Sequence, residues 1–146
     1  MKTQSNFNFW QRWLVVVSAG VMLYGISMVL APNLLRQFFS LLAYGSPSTI
    51  DSFGAEAADY IALAHAVMGS VMFGWGATMM FILFYQFRPG NRTGWLTIAF
   101  PLAAWFIPDT LFSLWSGFWQ NAVLNLVFAI LFAIPLAATF GLKKEE

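Results

Sequence analysis

The sequence contains no cysteine, which excludes disulfides, thiol catalysis, iron–sulfur clusters and thiolate zinc sites. Charge is scarce as well: Asp, Glu, Lys and Arg make up 9% of the 146 residues, against about 25% in ordinary globular domains. So little charge cannot cover a water-facing surface. Histidine occurs once, as His65, too few for a protein-only metal site, and no metal ligand set is assigned. Basic residues form no run beyond Lys143 and Lys144, and the net charge is +1, which argues against nucleic acid as a partner. The chain also lacks a phosphate-cradling glycine loop, paired catalytic carboxylates, a nucleophile beside an activating base, and an internal repeat.

What remains is apolar. Hydrophobic residues are 60% and aromatics 18% of the chain, with a mean hydropathy of +0.70. The lipid bilayer is therefore the expected surroundings, and the length fits one domain, 1–146. Stretches 13–31, 58–87, 95–116 and 121–140 each carry enough apolar sequence to cross as a helix. The first is longer than the roughly 7–15 apolar residues of a signal peptide and is followed by Pro32, so it is expected to be retained. The polar lead before it ends in Trp10, Arg12 and Trp13, a common mixture at a membrane surface.

Short polar connections at 88–94 and 117–120 predict antiparallel neighbours. The one long connection, 32–56, contains an amphipathic segment with Leu34, Leu35, Phe38, Leu41 and Leu42 against Asn33, Arg36, Gln37 and Ser40. It reads as a short helix lying in the interface. The expected fold is an all-α membrane protein, a four-transmembrane-helix antiparallel bundle with a short interfacial helix between helices 1 and 2. Four crossings put Lys2, Arg12, Arg88, Arg92, Lys143 and Lys144 on one side and Arg36 on the other. The positive-inside rule then assigns both termini to the cytoplasm and loop 32–56 to the exterior. The same plan occurs in many small bacterial membrane proteins, so a bacterial inner membrane is the expected location.

Small residues mark the second crossing. Ala58, Ala62, Ala66, Ser70, Gly74 and Thr78 recur every fourth residue, with Gly69, Gly76 and Ala77 beside them. Such a stripe lets helices approach closely and predicts the central packing helix, with a homo-oligomer or larger membrane complex as a second use. On the first crossing Gly20, Tyr24, Ser27 and Ala31 share a face, the expected inward side. In the third, Pro101 and Pro108 predict bends near Ile98 and Trp105.

Ionisable residues inside a crossing are costly and suggest function. His65 and Asp109 are the two. Counting from the expected helix ends puts both in the outer half, where Asn121 and Asn125 enter from helix 4, Tyr24 and Ser27 from helix 1, and Ser113 extends the Asp109 face. These seven residues form a candidate polar pocket for a small lipophilic or amphipathic ligand. His65 reads first as a bundle-stabilising hydrogen-bonder, then as a proton handler or ligand contact, and last as a haem or chlorin ligand with small residues around it. Asn121 and Asn125 also suit helix-start and interhelical bonding. The leading reading is a non-enzymatic tetraspan protein acting as an accessory subunit or ligand binder. The alternatives are a membrane enzyme using His65 and Asp109 as acid and base, and a small transporter or proton pathway.

Overall fold

Proline and glycine punctuate this chain, and between them the apolar sequence runs helical. The computed structural model describes residues 2–142, with side chains from Gln4 onward; Lys143, Lys144 and the side chain of Lys2 lie outside the described residues. The elements in order are α1 (Lys2–Leu30), α2 (Pro32–Tyr44), a 3-10 turn (Thr49–Phe53), α3 (Ala55–Tyr85), α4 (Arg92–Trp115) and α5 (Trp119–Thr139). All but α2 and the turn are long and apolar enough to cross a bilayer. The protein is thus an all-α, multi-pass integral membrane protein with four spanning helices and a short amphipathic helix between the first two. Large apolar side chains such as Leu23, Val71, Phe100, Phe112 and Ile130 lie exposed along those spans, the surface that lipid covers.

The helix boundaries differ from the apolar stretches where the backbone has no reason to stop. α1 begins at Lys2 rather than near Trp13 because residues 2–19 contain no proline or glycine. Gln4 supports the extra turns by donating to Asn8 at 3.0 Å, and Phe7 is buried, stacked on Phe87 at 5.1 Å. α3 has 31 residues, about 46 Å at about 1.5 Å per residue, longer than a hydrocarbon core of about 30 Å. α4 continues as one helix through Pro101 and Pro108.

The buried seam of α1 is Phe7, Leu14, Ser18, Val21, Gly25 and Met28, a near-3.5-residue spacing suited to shallow helix crossings. It runs one position along from the expected inward face. Gly20 is exposed, and Tyr24, Ser27 and Ala31 are only half-buried. Small or polar residues mark where close approach is tolerated, but the bulk of Leu14, Val21 and Met28 decides which face fills the interior.

Contacts separate the chain into two units, residues 1–19 with 77–146, and residues 20–76. α1 and α3 contribute to both. In the second unit the two helices meet backbone to backbone: a Cβ added to Gly25 would lie 2.6 Å from the Gly69 carbonyl oxygen and 2.7 Å from the Phe73 nitrogen. One added to Gly69 would run into the Gly25 carbonyl and lie 2.6 Å from the Met28 Cβ. Only glycine fits at either position. Pro32 starts α2, whose missing N–H costs nothing at a first turn. Its buried Ser40 donates to the Ser46 carbonyl at 2.7 Å and accepts from the Ile50 amide at 3.2 Å, while Arg36 pairs with Asp51 at 3.4 Å. Leu34, Phe38 and Leu41 form an exposed apolar face, as an interfacial helix requires.

The first unit is tied differently, by side-chain donors that reach carbonyls left open by proline or by helix ends. Pro135 has no N–H, so the Leu131 carbonyl four residues back loses its helical partner. The Trp13 indole donates to it at 3.0 Å. At the end of α3 the Phe87 amide bonds the Ile82 carbonyl at 2.8 Å, which frees the Leu83 carbonyl for the Gln11 amide at 2.6 Å. Arg88 donates to the Phe84 carbonyl at 2.5 Å, and Asn91 to that of Gln86 at 2.8 Å. Trp95 donates to the Leu136 carbonyl in the last turn of α5 at 2.8 Å. Open backbone carbonyls are expensive away from water, so each of these donors removes a penalty that lipid would otherwise impose.

Candidate functional site

Asp109, a carboxylate well inside a spanning helix, sits where α4 and α5 form a hairpin. Ser116, Gly117 and Phe118 make the turn, closed by the Phe118 amide on the Ser113 carbonyl at 2.8 Å. A connection this short places the first turns of α5 beside the last turns of α4. Asn121 therefore reaches across: its amide donates to Asp109 Oδ1 at 3.1 Å and to Ser113 Oγ at 2.8 Å. One turn further along α5, buried Asn125 donates to Thr110 Oγ1 at 3.4 Å. Ser113 is buried and Asp109 half-buried.

The hydrogen positions in this group follow from its partners. A backbone carbonyl can only accept, so the Ser113 hydroxyl, 2.7 Å from the Asp109 carbonyl, spends its proton there. It accepts from Asn121 at 2.8 Å, and Asp109 Oδ1 lies farther off, at 3.4 Å. That is a serine in a structural bond rather than an activated nucleophile. Asp109 engages Oδ1, and among the described residues nothing donates to Oδ2. A half-buried carboxylate oxygen without a donor is an attractive place for a hydroxyl, amine or amide from outside the chain.

The other sequence-predicted residues belong to the second unit. His65 is half-buried, with Nδ1 2.8 Å from the Ile61 carbonyl one turn back and its ring 5.2 Å from that of Phe39. Because the carbonyl accepts, Nδ1 carries the proton, and a neutral imidazole then presents its lone pair at Nε2. Ser27 donates to the Tyr24 carbonyl at 2.7 Å, and both residues are half-buried. Of the seven pocket candidates, Asp109, Ser113 and Asn121 form one hydrogen-bonded group, Asn125 bonds Thr110 one turn away, and Ser27 and His65 bond the Tyr24 and Ile61 carbonyls of their own helices. Among the described residues no three His, Asp or Glu side chains gather as a metal cluster.

The small-residue stripe of α3 divides along its length. Ala58 is buried and Ala62 and Ala66 are half-buried, whereas Ser70, Gly74 and Thr78 are exposed. Ser70 donates to the Ala66 carbonyl at 3.0 Å. The tight helix contact passes through Gly69 instead, the neighbour of Ser70. Sequence reasoning missed Gly25, Thr110, Gln11 and Pro135. Thr110 and Pro135 carried usable signals: the first adjoins Asp109, and every helical proline orphans the carbonyl four residues earlier.

Comparison with protein-family models, with curated proteins and with solved structures gave no match, so the functional reading rests on this geometry.

Proposed function

We propose that this membrane protein is a non-enzymatic binder of a small amphipathic molecule, held by its polar head at the α4–α5 hairpin. The supporting observation is the Asp109 carboxylate, fixed through Oδ1 by Asn121 and open at Oδ2, in a helix otherwise built for lipid. An open acceptor on an apolar spanning helix suits a ligand with a hydrogen-bond donor on a hydrocarbon body. The serine beside it is unactivated, which favours binding over catalysis. The excess of Lys and Arg on the side of the termini supports an orientation with this hairpin toward the exterior of a cell membrane and both termini in the cytoplasm.

Purification of the full chain from its native membrane, with mass spectrometry of what accompanies it, tests the reading. A specific small molecule is expected with the parent chain and with Asn125→Leu. Its yield falls about tenfold in Asp109→Leu, as for loss of one charged hydrogen bond. Equal recovery from Asp109→Leu, or bulk lipid alone throughout, overturns it.

A further inference from the structure

We propose that a second site, at the α3–α4 turn, binds a phosphate-bearing anion, either the headgroup of an acidic phospholipid or a soluble phosphate ester. This inference does not rest on the ligand reading above. A cavity of about 190 Å³ lies there in the first unit, lined by Arg88, Asn91 and Arg92 with Phe7, Phe87 and Trp95 on its apolar side. The space equals roughly six water volumes, the scale of a phosphate with its ester carbons.

Charge and geometry agree on an anion. Among the described residues the lining contains two guanidinium groups and no Asp or Glu. Arg88 is held in place, with Nη1 donating to the Phe87 carbonyl at 3.0 Å and Nη2 to that of Phe84 at 2.5 Å. A guanidinium has five N–H donors, so others stay available. Arg92 is exposed, and among the described residues it donates to none. It is also the first residue of α4, where backbone amides and the helix dipole favour negative charge. Trp95 spends its indole N–H on Leu136, which leaves its ring as an apolar wall against ester or acyl carbons. Paired arginines beside a spanning-helix end, with an aromatic wall, match the chemistry of an acidic headgroup.

The test uses native mass spectrometry of the purified full chain with phosphatidylglycerol, phosphatidylcholine, glycerol 3-phosphate or inorganic phosphate. Retention of phosphatidylglycerol over phosphatidylcholine is expected. Arg92→Gln should lower it about tenfold, in line with one charge-assisted contact. Arg12→Gln removes the same charge from an exposed arginine outside the cavity and should leave retention unchanged. Displacement by glycerol 3-phosphate or inorganic phosphate identifies a soluble ester or ion as the occupant; resistance to both identifies the lipid. Because Arg88 caps α3, Arg88→Gln is read only beside its thermal unfolding curve. Equal retention of the two lipids with no binding of either soluble anion, or equal losses in Arg92→Gln and Arg12→Gln, overturns the proposal.

Discussion

The α1–α3 crossing of the second unit and the helix ends of the first are held together by opposite means. At the crossing, Gly25 and Gly69 remove side chains so that two backbones touch, and the gain is dispersion between close surfaces. In the first unit, Gln11, Trp13, Arg88, Asn91 and Trp95 add donors to carbonyls that a proline or a helix end has left open. Lipid tails are as apolar as leucine, so burial alone does not pull helices together. Shape and backbone satisfaction are what remain. The first tolerates no added atom; the second tolerates shape changes but not loss of an N–H.

Three experiments sharpen that contrast. Gly69→Ala should destabilise most, by about 2 kcal/mol, because its methyl meets Met28 and the Gly25 backbone. Gly74→Ala, five residues on, faces open space and should leave the unfolding midpoint in detergent unmoved. Equal midpoints for the two variants would remove the packing explanation. Next is a double-mutant cycle at Trp13 and Pro135. Trp13→Phe keeps the ring bulk, loses the indole donor, and should cost about 1 kcal/mol. In a Pro135→Ala background the new amide can serve the Leu131 carbonyl, so the same change should cost nearly nothing. A coupling energy of zero would show that the indole does not stand in for the missing amide. Smallest is Asn125→Leu, whose bond to Thr110 is long at 3.4 Å; a loss of about 0.5 kcal/mol or less in the same unfolding assay is expected.

Much of the architecture was legible because crossing a bilayer demands an apolar run of fixed length. Those runs are local. The Asp109 group was legible for a similar reason: a carboxylate within a span is rare, and a tight turn after Ser116 leaves Asn121 few places but beside α4. The pairing of Trp13 with Leu131 was not, since those residues stand 118 positions apart and only one of several aromatics near the start of α1 finds a freed carbonyl. The α3 stripe misled in part. Ser70, Gly74 and Thr78 have the right spacing, yet the close crossing falls on the adjacent Gly69, because facing partners, not periodicity alone, select the contact.

The order of residues by itself determined that four helices cross lipid, that α2 is amphipathic and that the α4–α5 hairpin carries a carboxylate, since hydrophobicity, proline and turn length act over a few residues. Only the tertiary structure decided that glycines 25 and 69 meet, that Asp109 keeps one oxygen open, and that Arg88 and Arg92 line a common cavity. Those outcomes depend on the rotation of one helix against another. A rotation of one residue, about 100°, replaces the contacting face entirely, and the pattern of small residues along a single helix does not specify it.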